Sequence, residues 1–342
     1  NVVRSFLDLP NTSLEVVGDV SRLNVATART LARVFRNYKP EIVHLHYTGF
    51  LGIYPWLARL LSARKVFFTD HSSRPAGYVS HRAPFWKKGL ARIINWPLTK
   101  VVCVSGYGYR CMTSLSLLPP DRFELIYNAV DLSRVSQYHQ RGTEFRHKYS
   151  IPLDRALVIQ VSWIIPEKGI LDLLEAARLV VAQRPNVHFV FVGEGAYREQ
   201  YMKATEAMQL QENVTWTGLV ADPFGEGVFE AADIICQVSR WEEVFGWMIV
   251  EGMAHGKAIV ATRVGGIPEL VMDNDSGFLV ERGDSVAMAE KILWLLERPE
   301  LRSDMGTRGR EMVTEKFQLK SNVSQLLELY GLGLSLRHKQ PS

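Results

Sequence analysis

Short, nearly uninterrupted apolar segments alternate with helical patterns along this sequence, and that alternation restricts the fold more than any other feature. "EIVHLHY" (41–47), "KVFFTD" (65–70), "KVVCVS" (100–105) and "FELIYNAVD" (123–131) read as strands. "VATARTLARVFRNYKP" (25–40), "FLGIYPWLARLLSA" (50–63) and a segment from Gly106 carry helical spacing. A strand that is apolar throughout has both faces covered, which is the condition of a parallel sheet between helices. The pattern then restarts with strands over "RALVIQVSWI" (155–164), "VHFVFVGEG" (187–195), "NVTWTGLV" (213–220), "ADIICQVS" (232–239) and "KAIVATRVGG" (257–266). Helices are predicted over 169–185, 246–256, 285–300 and within 302–332. The fold class is α/β with two doubly wound, Rossmann-like domains, 1–150 and 151–342. The seam is expected in the polar "QRGTEFRHKYSIPLD" near 141–152.

A chain of 342 residues suits two such cores rather than one. Its hydrophobic content of 47% and charged content of 22% are those of a water-soluble globular protein. The net charge of +4 hides an asymmetry. Residues 1–150 hold 21 Lys and Arg against 9 Asp and Glu, while the remainder holds 19 against 27. A basic half beside an acidic half predicts different partners for the two domains. Three cysteines without metal-type spacing fit a reducing compartment, so cytoplasmic residence is expected. No apolar run is long enough to span a membrane, and no basic-then-apolar leader opens the sequence.

Ligands of doubly wound sheets sit beyond the carboxyl ends of the strands, and two such domains facing across a cleft suit a nucleotide-sized ligand. Lys168 in "IIPEKG" falls just ahead of a helix start, a favourable place for phosphate. In "EEVFGWMIVE", Gly246 ends a loop where backbone N–H groups can approach a ligand. Glu243 precedes that helix and Glu251 lies within it. Two carboxylates cannot hold a diphosphate by charge, but they can accept hydrogen bonds from the hydroxyls of a sugar and a ribose.

"IIPEKG", "FVGEG" and "EEVFGWMIVEGMAHGKAIVATRVGGIPELV", followed by "DSGFLV", resemble the donor-binding half of the retaining glycosyltransferases of family 4, which have the GT-B architecture. The spacing Glu243-x7-Glu251 is that family's signature, and Phe245-Gly246 stands where its Phe-Gly does. The basic half is similar more loosely, through "EIVHLHY", "FFTDHSS", "VVCVS" and "NAVD". The resemblance implies that Lys168 neutralises the donor diphosphate and that Glu243 bonds hydroxyls of the transferred sugar. Backbone amides of Val244, Phe245 and Gly246 would lie near sugar and phosphate, and Glu251 would hold the ribose. His71 would approach the sugar from the first domain, while Asn128 and Asp131 match a loop in which Ala129 replaces the usual glycine. Trp163 and Gly193 complete the expected donor-binding set. No metal or other cofactor is expected, since the resemblance implies a family that does without one. The partners so implied are a nucleoside diphosphate sugar and a hydroxyl acceptor in polysaccharide or lipid-linked glycan synthesis.

The sequence departs from the family at two places. Ser162 and Trp163 stand where it usually has Gly-Arg, which removes a bidentate phosphate donor. The opening from Asn1 lacks the family's strand and Gly-Gly turn, which predicts a chain missing an N-terminal segment. Both departures motivate an alternative reading, a nucleotide-sugar-binding pseudoenzyme or inactive fragment without turnover. A glycoside hydrolase would need its two carboxylates roughly 5 to 9.5 Å apart across the scissile bond, and glutamates beside a phosphate-type lysine fit that poorly.

Three further features compete for a role. His44-x-His46 has the alternation of a strand and could chelate metal, although a structural place is expected for it. Gly193-x-Gly195 is half of a dinucleotide fingerprint. "HRAPFWKKGLARIINWPLTK" (81–100) interleaves Phe85, Trp86 and Trp96 with five cations and no acid. It reads either as a peripheral contact with an anionic membrane at its inner face or as a helix that buries its aromatics against the core. No recognition motif accompanies the charge, so nucleic acid is not an expected partner.

Overall fold

Every β-strand pairing in the computed structural model is parallel, and the described residues are 12–17, 24–47, 52–137 and 141–333. The opening residues, on which the expected Gly-Gly turn bears, lie outside that set. The described residues fall into two compact units. One comprises residues up to Ser72, Val79–Tyr127 and those from Val323 onward; the other comprises Ser73–Tyr78 and Asn128–Asn322.

In the first unit, helix α1 (Val25–Tyr38) precedes β1 (Ile42–His46), and α2 (Tyr54–Leu61) connects it to β2 (Lys65–Asp70). There follow α3 (Phe85–Ile94), β3 (Lys100–Cys103), α4 (Gly106–Ser114) and β4 (Phe123–Leu125). The sheet order is β1-β2-β3-β4. Local chemistry sets the ends of these helices. The Asn24 side chain accepts from the Ala26 N–H at 2.9 Å, and Ser105 Oγ accepts from Gly108 N–H at 3.0 Å. Val66, Phe68, Val101 and Cys103 bury the sheet face, with Phe35, Ala58 and Met112 of the helices packed on it.

The second unit holds α5 (Ser133–Gln137), α6 (Arg141–Lys148), β5 (Ala156–Val161), α7 (Ile170–Gln183), β6 (Val187–Val192), α8 (Arg198–Ala207) and β7 (Val214–Gly218). It continues through α9 (Val228–Ala231), β8 (Ile234–Gln237), α10 (Trp247–Ala254), β9 (Ala258–Thr262), β10 (Gly277–Val280), α11 (Ser285–Glu297) and α12 (Pro299–Lys316). Helix α13 (Leu319–Tyr330) begins in this unit and ends in the first. The strand order is β10-β9-β8-β5-β6-β7, the doubly wound arrangement. Leu173, Leu174, Ile234, Val260, Met288 and Ile292 are among the side chains sealed in its core. Burial of such a side chain stabilises by roughly 1.5–3 kcal/mol each.

The structure shifts two expected boundaries. The strand predicted over 123–131 stops at Leu125, after which the chain passes into the other unit at Asn128. The polar stretch expected as a seam near 141–152 is largely helix α6, and it belongs to the second unit. Its surface is hydrophilic, but Phe145 is buried and Arg146 Nη2 donates to the Ala231 carbonyl at 3.0 Å. A Cβ on Gly142 would lie 2.8 Å from the Ala231 nitrogen, so the glycine allows the close packing of α6 on α9. Among the described residues no helix is long and apolar enough to cross a membrane.

Candidate functional site

β5 and β8 are neighbours from which the sheet winds in opposite directions, β6 and β7 extending one way and β9 and β10 the other. A switch point of this kind leaves a crevice beyond the strand ends. Here it is a cavity of about 220 Å³ whose walls include Gln160, Lys168, Gln237, Glu243, Trp247 and Glu251.

Lys168 enters on the turn Pro166–Lys168. Gln160 Nε2 donates to the Lys168 carbonyl at 2.9 Å, and Ser239 Oγ and the Arg240 N–H donate to the Glu167 carbonyl at 3.0 and 2.8 Å. Gly169 closes the turn at φ 64°, and a Cβ there would stand 1.8 Å from the Val238 carbonyl oxygen. Only glycine lets the turn press this close to the end of β8.

The Lys168 ammonium donates to Glu243 Oε1 at 2.5 Å, and the Ser73 hydroxyl donates to Glu243 Oε2 at 2.9 Å. Glu243 is 3% exposed. Its neighbour Glu242 holds the scaffold instead. Its carboxylate accepts from the Gly77 N–H at 2.9 Å and the Gly265 N–H at 2.8 Å, and it pairs with the Arg282 guanidinium. Burial pushes the Glu242 carboxyl up, but these donors hold it below the usual range. Backbone bonds run both ways between Arg74 and Glu242 at 2.9 Å, so residues 73–78 are stitched to the loop that presents Glu243. On its other side the Gly266 N–H donates to the Glu243 carbonyl at 2.7 Å.

That loop ends at Gly246, where α10 begins. Among the described residues no backbone N–H from Val244 to Met248 is taken up by a protein hydrogen bond. Free first-turn N–H groups and the helix dipole make this end favourable for an anion. Val244 and Phe245 are buried, and the Phe245 ring packs against Trp247 and Phe317 with centroids 5.8 and 6.0 Å away. A Cβ at Gly246 would crowd Gln237 Oε1 at 3.1 Å. Glu251 lies further along α10, and burial lifts its carboxyl to about 7, with Arg134 opposing the rise and Asp222 adding to it. Arg134 pairs with Asp222 at 2.5 Å.

Trp163 is 66% exposed and lines both this cavity and an adjoining one of about 250 Å³, which Gly193 also lines. Gly193 stands at φ 139°, where a Cβ would lie 2.0 Å from the Ser162 carbonyl oxygen. It therefore serves the close crossing of two strand ends. Asn128 and Asp131 stand outside the walls of the cavity; Asp131 Oδ1 accepts from the Ser133 N–H at 3.0 Å at the start of α5.

His71 belongs to the first unit, just after β2. Its Nε2 lies 3.0 Å from His46 Nδ1, and its ring stacks on Tyr47 with centroids 4.6 Å apart. Burial, then the neighbouring His46, brings His71 down to about 4 against the pull of Asp70. Burial, then His46 and His71, brings His44 down to about 3. His44 Nε2 meets Thr69 Oγ1 at 2.6 Å, and Nδ1 meets the Tyr330 hydroxyl. Among the described residues no group of three His, Cys, Asp or Glu side chains is placed to hold a metal ion.

Lys168, Glu243, Val244 to Gly246, Glu251 and Trp163 thus gather at one switch point, with Gly193 alongside. Sequence reasoning overlooked Ser73, Gln160, Gln237 and Arg134. Gln160 Oε1 and Gln237 Oε1 are buried acceptors without a partner among the described residues. The signal was visible, since both glutamines interrupt apolar strands, "ALVIQV" and "IICQ".

Residues 142–312 match the family model described as Glycosyl transferases group 1, and residues 14–134 match Glycosyltransferase Family 4. N-acetyl-alpha-D-glucosaminyl L-malate synthase of Bacillus anthracis is 27% identical over 312 residues, 90% of this chain and 78% of that protein. Alpha-D-kanosaminyltransferase of Streptomyces kanamyceticus is 28% identical over 299 residues, 84% of this chain and 76% of that protein. Among solved structures, Anabaena Alr3699/HepE in complex with UDP-glucose superposes with a TM-score of 0.79 at 19% identity, covering 97% of this chain and 89% of that one. The two parallel α/β units are the Rossmann-like units of the GT-B fold.

Proposed function

The chain belongs to the glycosyl transferases group 1 and to glycosyltransferase family 4, and on that premise we propose that it moves a sugar, with retention of configuration, from a nucleoside diphosphate sugar to a hydroxyl acceptor. The enzyme class, glycosyltransferase, follows from the family. The observation that carries the finer reading is the switch-point cavity. There one ammonium, Lys168, and the free N–H groups opening α10 stand beside two carboxylates, Glu243 and Glu251.

The division of labour is electrostatic. Lys168 and the α10 N-terminus stabilise the diphosphate and its growing charge as the sugar leaves. Glu243 accepts from sugar hydroxyls, and Glu251 accepts from the ribose. The anomeric carbon–oxygen bond to the phosphate breaks while the acceptor oxygen bonds to the same face, and a phosphate oxygen takes the acceptor proton. For His71 the support is the resemblance, which assigns it to the reacting sugar. Charge stabilisation by side chains and helix ends supports a metal-independent reaction. Growing polysaccharides or lipid-linked glycans are the acceptors the family resemblance favours.

Thermal unfolding with UDP, GDP, ADP and TDP, each with and without Mg²⁺, tests the reading. We expect one diphosphate to raise Tm, by an increment that grows with ligand concentration, is unchanged by the metal and is lost in Glu251→Ala. UDP is the first to try, given the ligand of the solved relative. Absence of a shift with all four would favour a chain in which Trp163, standing for the family's arginine, has abolished donor binding.

A further inference from the structure

Exposed apolar surface and positive charge that the donor cavity does not use concentrate on α3. Phe85, Trp86, Leu90 and Ile93 are 86, 58, 53 and 65% exposed. At 100° per residue these four and Gly89 occupy one arc of about 140°, while the buried Ala91 marks the opposite, inward side. Lys88 and Arg92 border one edge of the arc and Lys87 the other. The apolar stripe therefore faces outward, the reverse of a helix packed on a core. Of the two readings of 81–100, the one that buries its aromatics against the core does not hold, since Trp96 too is largely exposed.

The stripe continues into a groove of about 550 Å³ walled by Pro84, Leu90, Ile94, Leu115 and Leu117. From His71 to Pro120 the sequence has seven Lys and Arg and no Asp or Glu. Among the seven, Lys100 is taken up by Glu124 at 2.6 Å. The Lys87 ammonium lies over the Trp86 ring, 5.3 Å from its centroid.

An apolar ridge rimmed by cations matches a surface that is oily beneath a layer of phosphate. We propose that α3 seats the protein on an anionic lipid bilayer. Phe85, Trp86, Leu90 and Ile93 enter the acyl boundary, and Lys87, Lys88 and Arg92 meet the lipid phosphates. At 10 residues the helix lies in the interface rather than spanning it. The attachment is independent of the donor reading and holds whichever sugar is moved.

Co-sedimentation of the full chain with vesicles tests it. We expect binding to phosphatidylcholine containing ~30 mol% phosphatidylglycerol, little binding to phosphatidylcholine alone, and release as salt rises from ~0.1 to ~0.5 M. The double variant Trp86→Glu/Leu90→Glu and the triple variant Lys87→Glu/Lys88→Glu/Arg92→Glu should each weaken binding at least about tenfold. Trp86, Lys87, Leu90 and Arg92 are exposed and Lys88 is half-buried, and an unchanged melting curve would verify folding. No sedimentation of the wild type, or undiminished sedimentation of both variants, would overturn the proposal. So would a dimer seen by light scattering that Trp86→Glu/Leu90→Glu dissolves, since the stripe would then belong to a second copy.

Discussion

Lys168 and Glu243 hold each other at 2.5 Å in a pocket where Glu243 is almost wholly enclosed. A pair so enclosed is set by neighbours more than by its own attraction, because desolvation offsets much of the Coulomb gain. Substituting Lys168→Ala leaves the carboxylate without its cation and removes the charge assigned to the diphosphate. Transfer should fall by about 10²–10³ in kcat, measured by release of the nucleoside diphosphate. Glu251 gives a second test at this scale. Burial lifts its carboxyl to about 7, and a carboxyl accepts a ribose hydroxyl best when deprotonated. Affinity for the preferred diphosphate should therefore rise as pH increases from about 6 to 8. In Glu251→Gln that dependence should vanish, as calorimetric titration at several pH values would show.

At the scale of elements, turns that bring distant strands together are the sensitive points. Gly169 and Gly256 share a left-handed backbone, φ 64° and 66°, but differ in surroundings. A Cβ on Gly169 meets the Val238 carbonyl, whereas one on Gly256 meets nothing within 4 Å. Gly256→Ala should cost about 1–2 kcal/mol, the backbone penalty alone. Gly169→Ala should cost more and should also displace Lys168. Urea unfolding midpoints, read beside kcat, separate the two. The same contrast explains what could be read in advance. Apolar runs and the Glu243-x7-Glu251 spacing are local, so the strands, α10 and the grouping of Lys168 with the two glutamates at one cavity were legible in the sequence. Contacts across long separations were not, and Ser73 reaches Glu243 from 170 positions away. Helix α6 was hidden for another reason: it buries few apolar side chains, Phe145 the largest, and its remaining ties are polar, so its pattern reads as a linker. The short strand β10, Gly277–Val280, has only four residues and carries too little pattern to stand out from the motif "DSGFLV" that contains it.

Across the whole molecule, pH acts on stability through groups that burial has shifted in opposite directions. His44, His46 and His71 are held neutral below the usual range, whereas an unfolded chain takes up those protons near 6.5. Between about 6.5 and 4 the unfolded state binds more protons, so stability falls as pH falls. Glu251 works the other way, its burial penalty growing as pH rises from about 4.5 to 7. Burial lowers His188 and His255 as well, so the histidines outweigh one glutamate; Tm should rise from pH 4 to 6.5, and the slope should flatten when His46 and His71 are both replaced by Asn.

The path of the chain has its own bearing on how such proteins could be recombined. Because it crosses between units at 72/73, 78/79, 127/128 and 322/323, a single exchange at one point in the gene cannot transplant either unit whole. A chimera joined at residue 150 would inherit Asp233 and Ala231 without the Arg146 that binds them, and Glu243 without its Ser73. Successful shuffling must carry the six-residue graft 73–78 along with 128–322, so these two separated stretches should be inherited together.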